Sequence, residues 1–346
     1  MSGTMEWLLI TADPEIARYA EASGVHRVFV DMEVNGKQAR QGHVDTHMAA
    51  HTFDDISAVR EVITTAELLV RVNPLHDGTR AEVAEAVARG ADRIMLPMFT
   101  GRSDVEEFRS IVPSSTPITL LAETPAALVQ AEEWTPVLHP GDDVHFGLND
   151  LSLAMGLRFL FEPLAANLLQ GAADHLLEAG IPFGIGGIAR PNGGMLPAKV
   201  VMGEHVRLGS SRVILSRAFH GSARSLAELT AHLDLSSELS QLRQQEDDWR
   251  AASPDELAEN HRTLAARTFE ISRALTARDA GAEKDPPSVF RREAPPVLTT
   301  REERAGVTKV EPEYATAEPE AAPVVSITRI LSARDEGAGV PEAGDA

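Results

Sequence analysis

Residues 68–96, LLVRVNPLHDGTRAEVAEAVARGADRIML, hold a short apolar run, a polar turn, a helical pattern that closes on Gly90, and a second apolar run. Apolar runs of four or five residues separated by a dozen helix-like residues are the mark of a βα repeat feeding a parallel sheet. Working outward, the same alternation recurs from residue 5 to about 222. The strands expected are Trp7 to Ile10, Val28 to Val30, Leu68 to Val72, Arg93 to Leu96, Ile118 to Ala122, Val144 to Phe146, Pro182 to Ile185 and Arg212 to Leu215. Between them lie segments such as DPEIARYAEASG and SDVEEFRSIV, which end at or near Gly or Pro as helices do. Eight repeats over some 200 residues fit an α/β (β/α)8 TIM barrel over residues 1–222 better than an open doubly wound sheet.

After Gly221 the pattern is helical only, and residues 223–280 read as a helical extension. Ser253, Pro254 and Glu256 make a helix start with a Ser cap, Pro in the first turn and a capping-box Glu. The helix is expected to run to about Arg278, with Leu257, Leu264 and Leu275 facing either its own barrel or a neighbouring subunit. Residues 281–346 hold eight of the chain's 21 prolines and read as a disordered acidic, Pro-rich tail. Its VVSITRIL segment is either a partner-binding peptide or part of a solvated tail.

Composition narrows the function classes. A net charge of −20 argues against nucleic-acid binding, which needs concentrated Lys and Arg. With no cysteine, thiolate zinc sites and cysteine nucleophiles are excluded. No apolar run is long enough to span a membrane and MSGTMEWLLITADPE lacks signal-peptide features, so a cytoplasmic protein with no membrane partner is expected.

Active sites of parallel barrels lie at the carboxyl ends of the strands. Those ends carry Asp31 and Glu33, Arg71 and Asn73, Glu123, Asn149 and Asp150, and Ser216 and Arg217. Carboxylates from strands five and six, with no thiol and no dedicated His pair, make a hard-oxygen site suited to a divalent cation, Mg2+ or Mn2+. HVDTHMAAH spaces His43, His47 and His51 four apart, which is either a ligand row on a helix or, the preferred reading, a polar loop with at most one functional histidine. FGIGGIARPNGG is either an anion-binding nest or a tight turn. No lysine stands at a strand end where it would form a Schiff base.

RVNPLHDG, IMLPMF, LLAET and FGLNDLSLAMG, in this order, resemble the HpcH/HpaI aldolase and citrate lyase beta-subunit family over residues 5 to 220. The resemblance implies that Glu123 and Asp150 bind the metal, that Arg71 grips a substrate carboxylate, and that Asp31 and Glu33 stand beside the metal. It also implies metal-dependent making or breaking of carbon–carbon bonds next to pyruvate or an acyl-CoA enolate. One position departs from the aldolases. Where they follow the strand-two glutamate with a histidine base, this chain has Val34. The loop behind it offers His51 or His43 as the replacement, then Lys37, with Arg40 and His47 nearby.

The expectation is therefore a carbon–carbon lyase or aldolase acting on a 2-oxo acid or related carboxylate through a metal-stabilised enolate, as a homo-oligomer. Arg71, Asn149, Ser216 and Arg217 would bind substrate. The alternatives are an acyl-CoA lyase and a catalytically silent metabolite-binding barrel that acts as an interaction protein.

Overall fold

The structure is a computed structural model, and it describes residues 4–34, 51–219, 223 and 225–282. Eight parallel strands close a barrel in sequence order: β1 Glu6–Ile10, β2 Arg27–Asp31, β3 Glu67–Arg71, β4 Arg93–Leu96, β5 Ile118–Ala122, β6 Asp143–Phe146, β7 Phe183–Ile188 and β8 Arg212–Leu215. The expected strands are all present, most of them shifted by a residue at an end, and β7 runs on to Ile188.

Strand periodicity sends alternate side chains to opposite faces, and the apolar ones form two separate cores. Leu8, Phe29, Leu69, Met95 and Leu121 pack together as one cluster, with Ile10 and Ile214 against it. Their sequence neighbours, among them Leu9, Val28, Val30, Leu68, Val70, Ile94, Leu96 and Leu120, belong to a second cluster shared with the surrounding helices. Two residues on from each inner apolar residue the same face continues, as in Arg27–Phe29–Asp31, Glu67–Leu69–Arg71 and Thr119–Leu121–Glu123. The apolar layer is thus a floor, with charged residues below and above it.

Below the floor, Arg27 pairs with Glu6, Glu67 and Asp143, while Arg93 and Arg212 also reach Asp143. Asp143 is held well below the usual carboxylate range: burial opposes its ionisation, and Arg27, Arg93, Arg212 and a bond from Thr119 Oγ1 overcome it. Charges taken out of water survive only when paired in this way. This closes the far end of the barrel and leaves the chemistry to the carboxyl ends.

Several helix starts are capped by their own N-cap side chains. Thr52 and Asp55 form a capping box for Phe53–Arg60, and Thr124 caps Pro125–Val129. The expected Ser253–Glu256 box is present: Glu256 accepts from Ser253 N, and Ser253 Oγ accepts from Glu256 N.

The helical extension belongs to the same compact unit as the barrel. Its helices Leu235–Arg250 and Pro254–Ala282 pack on the barrel helix Ala198–Leu208, and Leu264 is fully buried. Trp249 Nε1 donates to Lys199 O at 2.7 Å, Asn260 Nδ2 donates to Val200 O at 2.9 Å, and buried Glu246 accepts the Met5 N–H at 2.7 Å. Packing against the chain's own barrel, one of the two arrangements expected for Leu264, is thus the one observed. The tail expected from residue 281, with VVSITRIL, lies outside the described residues from 283 onward. Among the described residues no helix is long and apolar enough to cross a membrane.

Candidate active site

Asp31, the last residue of β2, and Arg71, the last of β3, stand side by side in the register and meet inside the barrel mouth. Arg71 Nε and Nη2 donate to the two Asp31 carboxylate oxygens at 2.9 and 2.7 Å, a bidentate pair, and Nη2 lies 3.3 Å from Glu33 Oε2. The guanidinium also sits 5.6 Å from the ring centre of Phe29, which belongs to the apolar floor. Burial opposes the Arg71 charge, but Asp31 and Glu33 raise its pKa further above the ordinary value. Asp31 and Glu33, the acids expected beside a metal, both hold Arg71. Their grip occupies the Nε and Nη2 edge of the guanidinium.

Glu123 follows β5 and is 2% exposed. Its Oε1 accepts the backbone N–H of Met98 at 3.2 Å, and Met98 reaches this position with φ of 57°, a left-handed conformation uncommon outside glycine. Gly147, at the end of β6, is needed here, because a Cβ on it would stand 2.7 Å from Glu123 Cβ. Removing that side chain lets β6 deliver Asp150, on the first turn of Leu148–Ala154, to the same mouth; Asp150 is 6% exposed. Burial, together with the charges of Asp150 and Glu33, pushes the Glu123 carboxyl up to about 8 against the pull of Arg71.

This electrostatic state tests whether a divalent cation fits. Three carboxylates, Asp31, Glu33 and Glu123, act on one guanidinium, Asp150 acts on Glu123, and the ionisation of Glu123 is resisted by its own surroundings. A cation removes that resistance. Among the described residues no group of three or more His, Cys, Asp or Glu side chains is arranged to hold a metal. A two-carboxylate site fits a hard cation that completes its shell with water and substrate oxygens. Glu123 and Asp150 are the pair that would hold it.

The remaining expected residues are placed as follows. His51 lies at the rim, where its Nδ1 accepts the Asp31 N–H at 3.0 Å. A neutral imidazole that accepts at Nδ1 carries its proton on Nε2, so in this arrangement the ring offers a donor. Val34 is 54% exposed and carries no proton-transferring group. Lys37, Arg40, His43 and His47 lie outside the described residues. Asn149 and Arg217 are exposed, and half-buried Ser216 uses its Oγ to accept the Ala218 N–H at 3.3 Å. In FGIGGIARPNGG the strand is irregular between Gly184 and Gly187, and His145 Nε2 bonds Gly186 O at 2.9 Å. Burial lowers the His145 pKa to about 4, so this interior ring is neutral and donates there.

Two features escaped the sequence reading. The Met98 N–H carries no sequence signal, since any residue but proline supplies one. Glu82, on helix Thr79–Ala88, looks like a surface acid, yet its Oε1 accepts from Asn73 N at 3.1 Å and Asn73 Nδ2 at 2.7 Å.

A family model described as HpcH/HpaI aldolase/citrate lyase matches residues 4–188, more than half of the chain. The chain belongs to this family. As a member of the HpcH/HpaI aldolase/citrate lyase family it adds β8 and the helical extension beyond the matched segment. Similar solved structures include an HpcH/HpaI aldolase from Desulfitobacterium hafniense DCB-2, 17% identical, covering 72% of this chain and 95% of that one with a TM-score of 0.48. An HpcH/HpaI aldolase/citrate lyase family protein from Burkholderia cenocepacia J2315 is 16% identical, over 72% of this chain and 95% of that one, with a TM-score of 0.49. RipC from Yersinia pestis is 14% identical, over 74% of this chain and all of that one, with a TM-score of 0.46. No curated protein matches the chain.

Proposed function

We propose that this family member is a divalent-metal-dependent carbon–carbon lyase acting on a 2-oxo acid. The observation that carries the reading is the buried Glu123, whose ionisation is opposed by burial and by Asp150 and Glu33 while Arg71 stands across the same mouth. Such a site suits a cation beside an anion. A divalent ion held by Glu123 and Asp150 would supply Lewis-acid polarisation of the substrate's 2-oxo group.

The chain's own residues do the rest. Arg71 offers Nη1 to the substrate carboxylate, in a geometry prepared by Asp31 and Glu33 before substrate arrives. Phe29 and the apolar floor beneath close the mouth to water from below. His51, with its proton on Nε2, is a donor at the rim. To act as a base through Nδ1 it must first give up the Asp31 N–H. His43 and Lys37 stay candidates for that role.

A second reading, an acyl-CoA lyase, is favoured by Val34, because that branch of the family also lacks the histidine. Titrating the protein with Mg2+ or Mn2+ tests both readings of the site. One site is expected in the parent and a severe loss in Glu123→Ala and Asp150→Ala; unchanged affinity in both variants would remove the metal from the proposal. Assays with hydroxy-acid and acyl-CoA substrates separate the two reactions.

A further inference from the structure

Asn73 bridges two loops of the mouth. Its Oδ1 accepts the Val34 N–H at 2.9 Å and its Nδ2 donates to Glu82 Oε1 at 2.7 Å, so the amide orientation is fixed from both ends. Glu82 in turn takes three donors: Asn73 N and Nδ2 on Oε1, and His76 Nε2 on Oε2 at 3.1 Å. His76 must present a donor there, because its Nδ1 already accepts the Gly78 N–H at 3.0 Å. Only an acceptor-only side chain satisfies all three. A glutamine at 82 would turn its amide against one of them.

The peptide held by Asn73 is the one that follows Glu33. On its other side the Glu33 N–H donates to Asp31 Oδ1 at 3.2 Å. With both flanking amides fixed, the Glu33 carboxylate, 1% exposed, is aimed at Arg71 Nη2. The Val34 side chain is exposed, and its backbone N–H is held by Asn73 Oδ1.

We propose that Asn73, locked by Glu82, is a positioning residue for substrate binding: it fixes the Glu33–Val34 peptide and through Glu33 sets the Arg71 guanidinium that receives the carboxylate. This rests on the reading of Arg71 as the carboxylate-binding group. Asn73 itself does not touch substrate. Its effect is carried by one peptide plane and one carboxylate.

The test compares the full-length parent with Asn73→Ala, Glu82→Gln and, as a matched control, Thr135→Ala, which removes a buried hydrogen bond to Ala131 O far from the mouth. Two quantities are read: hydrogen exchange of the Val34 amide without ligand, and oxalate affinity in the presence of Mg2+. The expectation is that Asn73→Ala exposes the Val34 amide and weakens oxalate about tenfold or more, the usual scale for losing a residue that orients a site group. Glu82→Gln should move both in the same direction by less, and it keeps the test open if Asn73→Ala folds poorly. Thr135→Ala should lower the melting temperature and leave both readouts alone. An unchanged Val34 amide in Asn73→Ala overturns the proposal, and so does parental oxalate affinity in a variant whose Val34 amide has been released. A parent that binds no oxalate with Mg2+ present removes the underlying reading of Arg71 and this proposal with it; a parent that binds, alongside variants that bind equally well, sinks this proposal alone.

Discussion

Binding of Mg2+ should drive a proton off Glu123, and the amount can be worked out from its surroundings. The carboxyl is pushed from 4.5 up to about 8 by burial and by the neighbouring Asp150 and Glu33. That displacement corresponds to roughly 4 to 5 kcal/mol opposing ionisation. At pH 7 about nine in ten molecules then hold the proton, so each Mg2+ bound should release about 0.9 proton. Because this pKa is raised in the folded protein, the stability the group contributes is full below about pH 4.5 and falls as pH rises towards about 8. A bound cation offsets that fall. Apparent Mg2+ affinity should therefore climb about tenfold per pH unit from pH 6 to 7 and level off above about pH 9. Calorimetric titration in two buffers of different ionisation enthalpy counts the protons directly. Zero release at pH 7, with affinity flat from pH 6 to 9, would refute the reasoning.

Other outcomes follow from single contacts. Arg71→Lys keeps a charge but loses the bidentate fork to Asp31, and oxalate affinity measured with Mg2+ should fall about 10- to 100-fold, the equivalent of one charge-assisted hydrogen bond. Glu21 accepts the N–H groups of Thr64, Thr65 and Ala66 at 2.7, 2.6 and 2.7 Å; burial opposes its charge, yet these bonds hold its pKa at about 2. Because this pKa is lowered on folding, its contribution is present above about pH 4.5 and is lost as pH falls through about 2; urea melts at pH 7 should find Glu21→Gln less stable by about 2 kcal/mol, with the gap closing in acid. A Cβ at Gly203 would collide with Asn260 Nδ2 and stand 2.9 Å from Trp249 Cε2, so Gly203→Ala should lower the melting temperature by the equivalent of about 1 to 3 kcal/mol.

The barrel was legible because strand periodicity and helix ends are written locally: every βα repeat carries its own apolar run and its own stop. Asp31, Arg71, Glu123 and Asp150 were legible for the same reason, since the end of an apolar run marks the mouth. What could not be read were pairings between elements. Asp31 reads in the sequence as a lone acid, and only the β2–β3 register sets it against Arg71. The Arg27, Arg93 and Arg212 network around Asp143 looks in the sequence like isolated charges at strand starts, because its members lie up to 185 residues apart. Glu82 occupies an ordinary helix position whose partner, Asn73, is fixed by a turn that no period describes.

The most direct measurement is proton exchange into D2O from the methyl group of pyruvate, followed by NMR with the full-length protein and Mg2+ or Mn2+. The prediction is metal-dependent loss of the methyl signal in the parent, abolished in Glu123→Ala and in Asp150→Ala. No exchange from pyruvate or any other 2-oxo acid with metal present, or exchange that persists in both variants, would contradict it.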